Sequence, residues 1–136
     1  MFIPNWATLN PGIRPIVPGN FYRSQCSATF VVGLSGNLGF THDPDVVFAG
    51  AAQLLQNDAS IHFLLSGWGM GFERLKARQD EAHLANLTLI DRVPDEKLEE
   101  FLSAADIWII PYRKNVAGVY RFPAAFITSW RLGGRF

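Results

Sequence analysis

Thr29-Phe30-Val31-Val32-Gly33-Leu34-Ser35 decides how this chain folds, because the run is apolar on both of the faces a strand would present. Side chains along a strand point alternately to opposite sides, so a run with no polar side belongs in a sheet covered by helices above and below. Asp43-Pro44 follows. Proline at a first helical position, with an aspartate cap before it, starts a helix, and Val47, Ala51, Leu54 and Leu55 continue it as an apolar stripe ending near Asn57. The unit then repeats. Ile61–Leu65 reads as a second strand, Gly71–His83 as a helix with Phe72 and Leu75 inward, and Leu87–Ile90 as a third strand. Asp95–Ala105 reads as one helix burying Leu98, Phe101, Leu102 and Ala105, and Ile107–Ile110 as a fourth strand stopped by Pro111. Strands alternating with helices in this way make a parallel sheet with right-handed crossovers. In such a sheet all the strands end on one edge, and ligands bind there.

Outside this core the sequence changes character. Residues 1–27 hold Pro4, Pro11, Pro15 and Pro18 among glycines and asparagines, which reads as a connector; its Trp6, Phe21 and Tyr22 need a surface to pack on, and a domain missing from this sequence is one candidate. At 136 residues, 49% hydrophobic and 18% charged, the chain fits one packed domain and not a disordered one. Lys+Arg and Asp+Glu are 12 each, so no excess positive charge suggests non-specific binding to nucleic acid. The balance is uneven along the chain: no acid follows Asp106, whereas Arg113, Lys114, Arg121, Arg131 and Arg135 do. That end is either a solvated tail or an anion-facing edge. Cys26 is the single cysteine, which excludes an internal disulfide and a cysteine-based zinc cage and points to the reducing cytoplasm. No apolar run approaches membrane-spanning length, and no basic residue precedes Arg14, so the start does not read as a secretory signal.

The loops on the ligand edge hold most of the candidate chemistry. Gly33-Leu-Ser-Gly36-Asn-Leu-Gly39 leads from a strand into a helix start, where bare backbone N–H groups and the helix end suit a phosphate; the same glycines could simply make a tight turn. Gly67-Trp-Gly69-Met-Gly71, with Asp91 twenty residues on, invites comparison with a dinucleotide fingerprint, but Phe72 stands where the third glycine belongs. A phospho-acceptor receiver would need acids where Ser35, Gly36 and Asn37 stand, although Asp91 could end its third strand. His62 falls inside a strand as a hydrogen-bonded core or edge residue, His83 falls at a helix end, and His42 alone lies on the ligand edge, facing an anion or making a turn. No metal-ligand spacing and no G-x-S-x-G nucleophile occur, so neither a metal nor a catalytic serine is assigned.

An ordered set of segments is more specific than any one of them: Pro4-Asn-Trp6, Phe30 through Gly39, His42-Asp43, Phe63-Leu-Leu-Ser-Gly-Trp-Gly69, Asn86-Leu-Thr-Leu89, Leu98 through Asp106, and Pro111. In this order they resemble the donor-binding half of family 4 glycosyltransferases of the GT-B type, particularly those of bacterial polysaccharide synthesis. The resemblance implies a Rossmann-like three-layer α/β domain with at least four parallel strands, half of a two-domain enzyme. It also implies retaining transfer of a sugar from a nucleoside diphosphate, without a cofactor or metal, to a glycan or lipid-linked acceptor held by the absent domain. Peripheral membrane association of the parent enzyme would suit such an acceptor. Carried over by position, Gly36, Asn37, Gly39, His42, Gly67 and Gly118 would meet the donor phosphates or line their cleft, and backbone at Arg92 and Val93 would touch the base.

Two departures stand out. Many members place an arginine and a lysine where Asn37 and His42 stand, and the ribose-holding acid after the fourth strand has no counterpart, since no acid follows Asp106. The expected organisation is a connector at 1–27, a partial nucleotide-sugar-binding domain at 28–125 and a non-homologous tail at 126–136. Such a fragment alone is expected to lack transferase activity. The alternative is a truncated, non-catalytic module that binds nucleotide weakly or docks on a partner.

Overall fold

A computed structural model describes residues 18–57 and 60–114. Gly118, the tail 126–136 and the first seventeen residues lie outside the described residues. Within them the chain runs β1 (Phe30–Asn37), α1 (Pro44–Gln56), β2 (Ile61–Trp68), α2 (Met70–Ala82), β3 (Leu87–Asp91), α3 (Leu98–Leu102) and β4 (Ile107–Trp108). Short 3-10 turns at Arg23–Gln25 and Asp95–Lys97 precede β1 and α3. The strands form one sheet in the order β3-β2-β1-β4, every pair parallel, with helices on both faces. This is a Rossmann-like three-layer α/β architecture.

Period-two alternation explains the layers. From β1 and β2, Val32, Leu34, Phe63 and Leu65 point to one face and meet Val47, Phe48 and Ala51 of α1 with Phe72 and Leu75 of α2. Val31 and Leu64 point to the other and meet Phe101 and Leu102 of α3, Trp108 of β4, and Tyr22. The central strands are therefore apolar on both sides because both sides are covered. Of the expected α1 stripe, Val47 and Ala51 are buried, Leu54 is partly buried and Leu55 stays exposed, while Phe48 does more of the packing.

The connector contributes to this second face. Tyr22 is buried edge-on against Phe101, whereas Phe21 is exposed. Asn20 Nδ2 donates to Glu100 C=O and Ser103 Oγ, and Arg23 donates to Ala104 C=O, Thr29 C=O and the Asp106 carboxylate. Phe21 N–H and the Lys97 ammonium both donate to Glu100, which holds its carboxyl below the usual value. Residues 20–26 thus strap α3 to the sheet.

The ends of β1, β2, α3 and β4 differ from the sequence expectation, each for a structural reason. β1 and β2 run on to Asn37 and Trp68, because their eight paired positions stay in register from Phe30↔Ile61 to Asn37↔Trp68. Gly36, Asn37 and Gly67 are consequently the last residues of strands rather than loop. The expected helix 95–105 divides into a 3-10 turn and a five-residue α-helix, with Ser103 and Ala104 in a turn. The fourth strand shrinks to two residues; Ile109 N–H still donates to Gly33 C=O, and Pro111 C=O then accepts from Asp43 N–H, drawing the chain across the edge toward α1. Asp43 therefore meets the start of α1 with its backbone paired elsewhere, and its side chain makes no capping hydrogen bond.

Candidate functional site

Because every strand is parallel, Asn37, Trp68 and Asp91 end on the same edge, and a cavity of about 230 Å³ opens there. Ser35 and Gly36 line it from β1, Ser66 and Trp68 from β2, Arg92, Val93 and Asp95 from the segment after β3, and Leu98 and Leu102 from α3. Its floor is apolar, and its polar groups sit at the strand ends and the rim.

Two glycines shape the crest beside it. Gly36 has φ +133°, a conformation costly for any residue with a Cβ, and the space next to it is open. Gly67 pairs with Gly36 across the sheet and is buried; a side chain there would collide with Gly36 C=O. These positions let two backbones come together at the mouth of the cavity.

Ser66 fixes the third wall. Its hydroxyl donates to Asp91 C=O at 3.0 Å and accepts Val93 N–H at 3.2 Å, so the turn leaving β3 is held against β2 and Val93 is buried. Arg92 beside it is exposed, with its guanidinium 5.0 Å from the Trp68 ring and 3.8 Å from Asp95. Lys76 reaches Asp91 at 2.9 Å, and that hydrogen bond raises the ammonium pKa above its ordinary value.

Of the residues expected to meet a ligand, Gly36, Arg92 and Val93 come together on the cavity, with Gly67 directly behind Gly36. Asn37, Gly39 and His42 do not line it. The Asn37 carboxamide lies against Gly69, filling the space a side chain would take there. Gly39 C=O accepts His42 N–H within the turn, and His42 forms a β-bridge with Tyr112 and a tilted ring contact at 4.8 Å. Arg113 Nε donates to His42 C=O at 2.9 Å, so this flank of the edge is tied to the chain after β4. Gly118 lies outside the described residues.

Ser66, Trp68, Asp95, Leu98 and Leu102 line the cavity without having been singled out for it. A signal for Trp68 existed: it directly follows Gly67, at the end of a strand expected to point toward the ligand edge. Among the described residues no three His, Cys, Asp or Glu side chains gather as metal ligands, and no helix is long and apolar enough to cross a membrane. Comparison with protein-family models and with curated proteins returns no match.

Proposed function

We propose that this chain is the donor-binding portion of a retaining glycosyltransferase, taking a nucleoside diphosphate sugar at the carboxyl edge of its sheet. The observation that carries this reading is the meeting of Gly36, Arg92 and Val93 on one cavity at the ends of parallel strands, where α/β sheets take their ligands. The base would lie against Arg92 and Val93, with the diphosphate extending past Gly36 toward bulk solvent. In transfer, the bond from the sugar's anomeric carbon to the diphosphate breaks and one to an acceptor hydroxyl forms. The leaving diphosphate then needs hydrogen-bond donors and positive charge. The described residues present few such groups on the cavity and no catalytic residue is assigned among them, so in this reading a second domain brings the glycan or lipid-linked acceptor. The ordered resemblance of segments from Pro4 to Pro111 supports a role in polysaccharide or lipopolysaccharide synthesis in the cytoplasm.

Calorimetric titration with UDP and GDP tests the reading. One of them should bind saturably, and Gly36→Val should abolish or strongly weaken binding, since a branched side chain would enter open space at the mouth and adopt a disfavoured φ. Thermal unfolding of the variant separates a blocked site from a lost fold. No heat from either nucleotide would overturn the proposal. The chain by itself should transfer no sugar; measurable acceptor glycosylation would contradict its assignment to donor binding alone.

A second reading, a non-catalytic docking module, is favoured by Phe40 in the loop after β1 and Met70 at the start of α2, which are 83% and 73% exposed on the same edge. Concentration-dependent association together with silence toward nucleotides would select it.

A further inference from the structure

The lining of the cavity indicates which part of a ligand it grips. At about 230 Å³ it is smaller than the roughly 300–1,000 Å³ of a pocket that encloses a whole drug-sized ligand, so it has room for a planar ring and little more. Its floor is Val93, Leu98 and Leu102, and its rim carries the Trp68 indole with the Arg92 guanidinium 5.0 Å over that ring. Among the described residues Arg92 is the one cation in this lining, and Asp95 stands 3.8 Å from it. Nearby, Lys76 pairs with Asp91, and Arg74 and Arg78 share the Asp45 carboxylate. Among the described residues a phosphate entering the cavity therefore meets one cation already paired with an acid, whereas an aromatic ring finds stacking surfaces and an apolar floor.

We infer that the site is anchored on the base: an aromatic heterocycle stacks on the Trp68–Arg92 pair and supplies most of the affinity, and the diphosphate adds little. This rests on the nucleotide-binding reading above and deepens it, making Trp68 the residue that distinguishes a nucleoside from a bare phosphate ester.

The test is calorimetry on the full chain with uridine, UMP and UDP, the guanosine counterparts, and inorganic pyrophosphate alone. Within the series that binds, affinity should change by less than about threefold from nucleoside to diphosphate, and pyrophosphate should give no saturable heat. Trp68→Ala should weaken binding about tenfold or more, the range of one base–aromatic stack, and Trp68→Phe should restore most of it by returning a flat ring. Trp68 is 43% exposed at a strand end, and an unchanged unfolding midpoint will show that the variants keep the fold. Saturable pyrophosphate binding, a loss above tenfold on removing phosphates, or intact nucleotide binding in Trp68→Ala would overturn the inference while leaving the nucleotide site in place. Silence toward every nucleotide and nucleoside would instead overturn both.

Discussion

Ser27 N–H donates to His62 Nδ1 at 3.1 Å, so this buried ring nitrogen must carry a lone pair. The proton is then on Nε2, 2.8 Å from Thr88 Oγ1. Protonating Nδ1 would set two N–H groups against one another, and burial of the ring already pushes the imidazole pKa below 6.5. In the unfolded chain the same ring takes up a proton near pH 6.5. As pH falls below that value the unfolded state binds more protons than the folded one, and stability drops until the folded-state pKa is reached. Urea unfolding should therefore show a His62 contribution with a slope of at most about 1.4 kcal/mol per pH unit in that window. His62→Gln should remove that contribution relative to the native chain; identical pH profiles for the two would refute the assignment. His62 was readable in sequence as a hydrogen-bonded strand residue, but its partner Ser27 was not, because a connector's path depends on the face it packs against.

At the scale of elements, the strap and the strand ends hold the two ends of the sheet in place. Asp106 Oδ2 accepts both Arg23 Nη1 and Val31 N–H, each at 2.7 Å, tying the strap, β1 and the approach to β4 at one carboxylate. Asp106→Ala leaves a backbone N–H and a guanidinium without this partner, and should lower stability by about 1–3 kcal/mol, discounted for side chains that are partly exposed. A change below about 0.5 kcal/mol in chemical denaturation would show that the strap is held by its apolar contacts instead. The strands and two longer helices were legible because their apolar periods are strong and local. Their ends were not. Gly36, Asn37 and Gly67 are poor strand formers that join the sheet only because β1 and β2 hold each other in register. Arg92 and Val93 line the cavity because they directly follow β3, whereas His42 is drawn to Tyr112, seventy residues on, a contact no local pattern encodes.

For the whole molecule, one sheet carries two apolar layers, and the two should fail together. Phe72 under α2 and Phe101 under α3 are both fully buried, on opposite faces. Replacing either with alanine should cost about 3–5 kcal/mol. Near-ultraviolet and far-ultraviolet signals should still unfold at a common midpoint in each variant, and separate midpoints would mean that the layers are independent. The same sheet sets the direction of the site, since a ligand edge follows from four parallel strands rather than from any single residue. Amide chemical-shift mapping of the full chain during a UDP or GDP titration tests this most directly. Saturable shifts are expected at Gly36, Gly67, Arg92, Val93 and the Trp68 indole, with Ser27, His62 and Thr88 at the opposite end of the strands unmoved. Shifts confined to those three residues, or none at saturating nucleotide, would contradict it.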